Sequence, residues 1–233
     1  MIEESNYSVD LVVIGAHNGN KIKNLITSTV GKIILVEPVR DLFFKLQERF
    51  QDLNNIIYCN YGVSSTTGIK EFYRFNSEGI VNGELLIKKL EKQSLELASF
   101  ADELGSLRED HIKSHYKVYN VNPEEFNIKE EIQFFSFEEF IQKNQIANIG
   151  SLQIDTEGHD YDIIKSIPFN KMQINELIFE WKHLDGFFKA EKKCEEILEH
   201  LANNKYKLDF LDDENIRAYK TDFSYSQNRE QKF

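Results

Sequence analysis

The sequence predicts an α/β protein in which helices cover both faces of a mostly parallel β-sheet. Three observations support this fold class. Short apolar runs alternate with amphipathic helical segments over most of the chain. The stretch LVVIGAHNGNKIKNL, residues 11–25, combines a strand, a turn bracketed by two glycines and the start of a helix. Near the C-terminus, two strand-like runs flank the polar turn DDEN, which indicates a terminal antiparallel hairpin.

The composition is that of an acidic, folded globule. The chain has 233 residues, of which 41% are hydrophobic, and a formal net charge of −11. Nucleic acids and anionic membranes require basic patches, so this charge argues against both as partners. With only 3 prolines and 11 glycines there is no linker-like segment. We therefore predict a single domain over residues 1–223, followed by a polar tail at 224–233.

The chain carries no targeting or redox signature. Its N-terminal stretch MIEESNYSVD lacks the apolar core of a signal peptide, and no uncharged run is apolar enough to span a bilayer. Cys59 and Cys194 lie in apolar strand and helix patterns and form no C-x-x-C pair, which favours reduced thiols over a disulfide or zinc site. We expect a soluble, cytoplasmic protein.

In the first half of the chain, strands are predicted at 11–15, 32–38, 55–60 and 69–75. A helix of about ten residues should join the first two strands. After Pro38, the segment RDLFFKLQERF has an apolar face, which is typical of a helix packed on a sheet: Leu42, Phe43, Leu46 and Phe50.

The interval 76–127 breaks this alternation. It is helical and charged in GELLIKKLEKQSLELASFADEL and then irregular through GSLREDHIKSHYK. An excursion of this length between regular elements indicates an insertion over one edge of the sheet, and we predict that it forms part of a lid.

Regular structure resumes after this insertion. Ser136 followed by Glu139 is a capping-box signature that opens a short helix. Strands follow at 151–155 and 176–181, helices are predicted in YDIIKSI and KKCEEILEHLANN, and the terminal hairpin completes the chain.

The glycine-bracketed turn is expected to bind a nucleoside, because ligands of open α/β sheets sit at the carboxyl ends of the strands. Its G-x-x-x-G pattern, Gly15 to Gly19, lacks the additional glycine of a dinucleotide fingerprint and the Gly-Lys-Ser/Thr of a P-loop. Glu37 ends the second strand, where a carboxylate can accept both hydroxyls of a ribose. A ribose without a pyrophosphate fits S-adenosylmethionine.

Three stretches in this order resemble the signature motifs of the FkbM-type methyltransferases: VIGAHNG, ILVEP and LQIDTEGHDYDIIKSI. The resemblance extends over roughly residues 9–184, and GSLREDHIKSH and FEWKHL look like one branch of the family. It implies S-adenosylmethionine as cofactor, a Rossmann-like class I methyltransferase fold with a seven-stranded sheet whose last strand is antiparallel, and O-methylation of a hydroxyl on a sugar, glycan or small metabolite.

Val13 departs from that pattern. The family usually carries Asp there, where it helps to hold the amino group of the cofactor, and Asp10 lies too far along the strand to substitute. One lost charge-assisted hydrogen bond weakens binding by roughly 1.5–3 kcal/mol. The alternative hypothesis is therefore a catalytically silent binding domain that has lost cofactor use. A nicotinamide-dependent oxidoreductase is disfavoured, because the pyrophosphate glycine and a Tyr-x-x-x-Lys relay are missing.

Candidate site residues follow from their places at strand ends, in the turns that follow and in the insertion. For catalysis we predict Asp155, Glu157, His159, Glu180 and His183. Cofactor contacts are expected from Gly15, Ala16, His17, Asn18, Gly19, Glu37 and Asn60. Substrate contacts are expected from Ser106, Arg108, His111 and His115. No metal is predicted, because no histidine joins Asp155, Glu157 and Glu180 at a ligand spacing. The oligomeric state is not predicted.

Overall fold

A central sheet of seven strands organises the protein. The computed structural model describes residues 6–186 and 189–221, so the predicted polar tail at 224–233 lies outside the described residues. The strands in chain order are β1 (Tyr7–Ile14), β2 (Ile33–Val36), β3 (Ile56–Cys59), β4 (Gly62–Ser64), β5 (Gly68–Phe75), β6 (Ile80–Val81), β7 (Glu84–Leu85), β8 (Gly105–Ser106), β9 (Asn127–Ser136), β10 (Ile146–Ile154), β11 (Gln173–Glu180), β12 (Lys207–Phe210) and β13 (Asn215–Tyr219). The helices are α1 (Lys23–Ser28), α2 (Arg40–Arg49), α3 (Leu86–Gln93), α4 (Leu95–Phe100), α5 (Glu109–Val118), α6 (Phe137–Lys143), α7 (Asp160–Ser166) and α8 (Lys192–Asn203), with short 3₁₀ turns at Ala101–Glu103 and Pro123–Glu125.

The strand order of the central sheet is β12-β13-β11-β10-β1-β2-β3. The neighbours from β11 to β3 are parallel, whereas β13 lies between β11 and β12 and runs antiparallel to both. Parallel strands are covered on both faces, which explains why β2 is the uninterrupted apolar run IILV and is buried throughout. The predicted fold class is confirmed, including the antiparallel last strand.

The two faces of β1 pack into different cores. Val12 and Ile14 belong to the larger core, which includes residues of α6, α7 and α8. Leu11 and Val13 face the other side and pack against α1 and α2. The alternation follows from the period of two in a strand, and it fixes the side of the sheet on which residue 13 lies.

A second sheet and a separate cluster of helices extend from this frame. The order of the second sheet is β4-β9-β5-β8, and β5 and β9 pair antiparallel from Gly68↔Phe134 to Phe75↔Asn127. Residues 76–127, which we call the lid, bury their own apolar core of residues between Phe75 and Phe126. The expectation of irregular structure in GSLREDHIKSHYK is wrong, because Glu109–Val118 form α5. The assignment of the lid as an insertion stays a prediction.

Local details refine the other predictions. The helix after β1 has 6 residues, because residues 15–22 are taken up by the turn. Ser136 caps α6, since its hydroxyl accepts a hydrogen bond from the Glu139 N–H at 3.2 Å. In a capping box the Glu139 side chain would in turn accept a hydrogen bond from the Ser136 N–H. Here the Ser136 N–H donates instead to the Thr67 hydroxyl, at 2.8 Å. Among the helices of the described residues, none is both long and apolar enough to cross a bilayer.

Candidate active site

The loop after β1 lies where the sheet reverses its order of connection, between β10 and β2. Gly15 has φ +86°, and a Cβ at this position would lie 1.8 Å from the carbonyl oxygen of Asp155. Only glycine therefore allows the loops after β1 and β10 to touch. Gly19 has φ +76°, and a Cβ there would lie 2.4 Å from the Phe50 ring. Gly19 is thus required for packing against α2 and does not line the cavity described below.

Glu37, just after β2, is held in one orientation by two backbone groups. Its Oε2 accepts the N–H of His17 and its Oε1 accepts the N–H of Val39, both at 2.8 Å. His17 takes a left-handed φ of +50° in the turn that presents this N–H. The carboxylate is 4% exposed, and burial raises the pKa of Glu37 to about 7, against the lowering effect of the two hydrogen bonds. Each oxygen keeps a lone pair for a ligand hydroxyl.

The loop between β10 and α7 is anchored by Asp160. Its Oδ1 accepts hydrogen bonds from the backbone N–H of Thr156, at 2.9 Å, and from the hydroxyl of that residue. Its Oδ2 accepts from the N–H of Glu180 at 3.2 Å, which ties the loop to the end of β11. Asp160 is buried, and burial with the nearby Asp155 and Glu180 raises its pKa well above the ordinary value. It acts as a positioning residue that the sequence analysis did not single out.

Three predicted catalytic acids lie near one another: Asp155 and Glu157 in this loop, and Glu180 at the end of β11. Asp155 faces the cavity, although protein surrounds it closely enough that loss of hydration raises its pKa. Burial raises the pKa of Glu157 to about 8 and that of Glu180 to about 9, and repulsion within the group adds to both shifts. Lys182, whose Nζ lies 3.4 Å from Glu180 Oε1, opposes the shift at Glu180. The three carboxyls thus titrate as a coupled group.

His159 is a half-buried residue of the same loop and lines the cavity. Its Nδ1 lies 3.2 Å from the Asp162 carboxylate, and its Nε2 lies 3.0 Å from the Ser64 hydroxyl. Asp162 therefore orients the ring.

These loops and the lid enclose a cavity of about 360 Å³, within the usual range for small-ligand sites. Gly15, Ala16, His17, Asn18 and Glu37 line it together with Asp155, Glu157 and His159. An apolar wall is formed by Leu42, Phe72, Leu107 and Phe134. The lid closes over the β1 loop: His17 Nε2 lies 2.9 Å from the Asp102 carbonyl oxygen, and Lys21 pairs with Glu103 at 2.7 Å. Asp102, Glu103 and Lys21 line the cavity and were not predicted.

Several predicted residues lie outside this cavity, and their side chains contact other parts of the protein. Asn60 donates through its side-chain amide to the carbonyl oxygens of Glu37 and Pro38, at 2.9 and 3.1 Å. Ser106 is buried and donates its hydroxyl to the Glu157 carbonyl oxygen at 2.8 Å. Arg108 pairs with Asp110 at 2.7 Å. The structure therefore gives these side chains structural contacts and does not bring them to the cavity.

The remaining predicted histidines gather behind Glu157. His111 and His115 lie one turn apart on α5, and His183 follows β11. His111 Nε2 is 3.2 Å from Glu157 Oε2 and 3.2 Å from His115 Nε2. The ring of His183 lies 4.7 Å from that of His111, and its Nε2 lies 3.9 Å from Glu180 Oε1. The expectation that no histidine joins the acids is corrected here, because the fold brings three of them to Glu157.

Val13 is buried at 2% exposure and takes part in the core between β1 and α2, with one side on the cavity. Asp10 lies in the middle of β1, three residues before Val13, with its carboxylate beside Gly31, where a Cβ would be 2.0 Å from Oδ2. Asp10 therefore cannot replace the acid that the motif usually has at position 13.

Residues 14–208 match a family model described as the methyltransferase FkbM domain. The chain belongs to the FkbM methyltransferase family. This match includes the loop after β1, Glu37, the loop of residues 155–159 between β10 and α7 (the acidic loop), and β11. It confirms the resemblance carried by the three motifs.

Solved structures of other methyltransferases are similar to this FkbM-family chain. Methyltransferase FkbM from Methylobacillus flagellatus KT matches with 14% identity and a TM-score of 0.47, over 91% of this chain and 44% of that one. Fibrillarin from Aeropyrum pernix, in complex with natively bound S-adenosyl-L-methionine, matches with 10% identity and a TM-score of 0.43, over 94% and 70%. Precorrin-6y C5,15-methyltransferase from Geobacter metallireducens GS-15 matches with 9% identity and a TM-score of 0.39, over 92% and 82%. This chain spans less than half the length of the Methylobacillus protein. No curated protein sequence matches it.

Proposed function

We propose that this FkbM-family protein is an S-adenosylmethionine-dependent methyltransferase that acts on a hydroxyl of a sugar, glycan or small metabolite. The observation that carries the proposal is the Glu37 carboxylate, fixed by two backbone N–H groups in a cavity that it shares with Asp155. A ribose binder and a candidate base thus face one enclosed space, as methyl transfer requires.

The residues present fit the cofactor. Glu37 would accept the two ribose hydroxyls, and Gly15 allows backbone close to the ligand. When bound, S-adenosylmethionine supplies an electrophilic methyl group on a positively charged sulfur. The cavity of about 360 Å³ is closed by the lid through His17 and Lys21, which would keep water from the reacting atoms.

The lid favours a working cofactor site over a silent domain despite Val13. Asp102 and Glu103 line the cavity next to the β1 loop, where His17 and Lys21 contact the lid. Glu103 brings to the cavity wall a carboxylate that is paired with Lys21, and Asp102 brings a second carboxyl group. We infer that these two side chains, rather than residue 13, would provide negative charge for the amino group of the cofactor.

We assign Asp155 as the general base that accepts the proton of the acceptor hydroxyl. With the cofactor supplying the methyl group, the Asp155 carboxylate would accept the proton that the acceptor hydroxyl gives up. Partial loss of hydration in the cavity, together with the nearby Glu103, raises the pKa of Asp155, which brings a carboxyl group nearer to the strength that a general base needs at neutral pH. We assign a supporting role to His159, whose ring is held between Asp162 and Ser64. The concentration of acids at this end favours a neutral hydroxyl acceptor over an anionic one.

Cofactor binding is the first test. The purified chain is titrated calorimetrically with S-adenosylmethionine and S-adenosylhomocysteine, with NAD as the control. Saturable binding of the first two and none of NAD is expected. If neither sulfur nucleoside binds, the silent-domain hypothesis replaces the proposal.

Turnover is the second test, in a screen of sugar and small-molecule hydroxyl acceptors that detects S-adenosylhomocysteine. Asp155→Asn should lower kcat by about 10²–10⁴-fold while cofactor affinity is kept. The matched control is Asp213→Asn, which changes an exposed aspartate in the terminal hairpin turn. Full turnover by Asp155→Asn would remove Asp155 from the proposed mechanism.

A further inference from the structure

Three histidines and one glutamate meet behind the acceptor end of the cavity. They come from three separate segments: His111 and His115 from α5, Glu157 from the loop after β10, and His183 from the turn after β11. One ligand-type atom of each residue lies within 4.8 Å of those of the other three. The three histidines are at most 9% exposed, so they are withdrawn from solvent.

We propose that His111, His115, His183 and Glu157 bind one divalent transition-metal ion, with Zn²⁺ as the best match. Nothing in the family assignment provides this site, and it does not depend on the proposed methyl transfer.

The spacing of the atoms fits a tetrahedral ion. Nitrogen and oxygen ligands about 2.0–2.1 Å from a tetrahedral zinc ion are about 3.3–3.4 Å from each other. His111 Nε2 lies 3.2 Å from Glu157 Oε2 and 3.2 Å from His115 Nε2. Small side-chain movements would bring all four ligand atoms to this separation.

The two polar neighbours of His111 Nε2 support a cation at the centre of the cluster. A neutral imidazole nitrogen carries one proton or one lone pair, so Nε2 can make one in-line hydrogen bond. This atom nevertheless has two polar neighbours, Glu157 Oε2 and His115 Nε2, at the same 3.2 Å distance. A metal ion between the three residues would accept a lone pair from each.

The ligand types select the metal. Imidazole suits zinc and other later transition metals, whereas Mg²⁺ and Ca²⁺ prefer oxygen ligands.

An independent observation is the buried carboxyl of Glu180. It is 8% exposed, and among the described residues its Oε2 has no hydrogen-bond partner. Its Oε1 lies 3.9 Å from His183 Nε2, too far for a hydrogen bond but close enough for an electrostatic contact. A dication beside Glu157 and Glu180 would also offset the repulsion between these acids.

The ion would have a structural, positioning role. Four protein ligands make a closed site, and Glu157 is the one ligand of the four that lines the cavity. Metal binding would therefore fasten the lid helix α5 to the acidic loop and hold Glu157 in place.

The experiment measures metal binding by the full chain without any acceptor or cofactor. Protein treated with a chelator and dialysed is titrated with Zn²⁺ in competition with a chromophoric chelator, with Co²⁺ for visible absorption, and with Mg²⁺ for comparison. We expect one Zn²⁺ per chain, the intense visible bands of tetrahedral Co²⁺, a higher Tm with Zn²⁺ and no saturable Mg²⁺ binding.

Variants locate the site. His115→Ala and His183→Ala should weaken Zn²⁺ binding by about 100-fold. Glu157→Gln, which changes a partly exposed side chain, provides a variant that is less prone to unfold and should also lose the tetrahedral Co²⁺ spectrum. His200→Ala on α8 is the matched control and should bind like the wild type.

Two results would overturn the inference: no stoichiometric Zn²⁺ or Co²⁺ binding by the wild-type chain, or equal binding by the wild type and all three site variants. Because every readout is binding, a chain that holds zinc but does not transfer methyl groups would refute the proposed function alone.

Discussion

Glu37→Gln isolates what one buried carboxylate contributes to cofactor binding. The side chain keeps its size, but one of its two oxygens becomes an NH₂ group. This amide donor would face one of the backbone N–H groups, of His17 or Val39, that now donate to the carboxylate at 2.8 Å. The ribose hydroxyls also lose a charged acceptor.

The structure sets the expected magnitudes. Burial raises the pKa of Glu37 from 4.5 to about 7, so ionised Glu37 destabilises the ligand-free fold by about 3 kcal/mol. Gln removes that cost but leaves a buried N–H unpaired, which costs about 1–3 kcal/mol. These effects offset each other, so stability should change little at pH 8. Loss of a charge-assisted hydrogen bond to ribose should weaken binding by about one to two decades.

The pH dependence has a defined sign. The pKa of Glu37 is about 7 in the folded protein, above its ordinary value of 4.5. The contribution of protonated Glu37 to the stability of the fold is therefore fully present below pH 4.5 and is lost as pH rises through about 7. Ribose binding needs the ionised form, which increases from about one tenth at pH 6 to about nine tenths at pH 8. Wild-type affinity for S-adenosylhomocysteine should therefore increase about ten-fold over this range.

Calorimetric titration at several pH values tests both effects. Methylthioadenosine is the control ligand, because it carries the ribose and lacks the amino-acid group. Its affinity should show the same increase with pH in the wild type and no increase in Glu37→Gln. Equal affinities of the two proteins at pH 8, or an identical pH dependence, would refute the assignment of Glu37 to the ribose.

The remaining predictions concern the backbone around the cavity. Gly15→Ala should lower the Tm much more than Gly83→Ala, because both have positive φ, but a Cβ at Gly15 would lie 1.8 Å from the Asp155 carbonyl oxygen and a Cβ at Gly83 would meet nothing within 4 Å. Equal losses of Tm would show that φ alone sets the cost. Asp160→Asn should reduce the free energy of unfolding by about 1–3 kcal/mol in denaturant titrations, because one of its oxygens becomes a donor opposite existing donors. An unchanged midpoint would contradict its role as the anchor of the loop.

Much of the fold follows from local pattern. The buried parallel strands carry uninterrupted apolar runs, and the amphipathic face of α2 gives its position directly. Helix α5 was missed for a physical reason. Its buried face consists of His111, Ile112, His115 and Tyr116, and histidines count as polar in a hydrophobic pattern. Their burial depends on partners from other segments.

The site residues also fall into two groups, those that the local sequence pattern predicts and those that depend on the tertiary structure. Glu37 and Asp155 could be predicted because the ends of neighbouring parallel strands meet at one edge of a sheet. The contact between His111 and His183 could not, since it depends on how the lid folds back over the sheet. Asp160 lies in the stretch LQIDTEGHDYDIIKSI, but no local signal distinguished its anchoring role from that of an exposed acid at a helix start.

The lid's own apolar core has a consequence for how such a chain can diversify. Its packing residues lie between Phe75 and Phe126 and form a cluster distinct from those that cover the two faces of the central sheet. Substitutions that reshape the lid are thus absorbed locally, without repacking the strands that carry Glu37 and Asp155. After gene duplication, changes in the lid away from Asp102 and Glu103, which contact the β1 loop, would reshape one wall of the cavity and leave the strands beneath it unchanged.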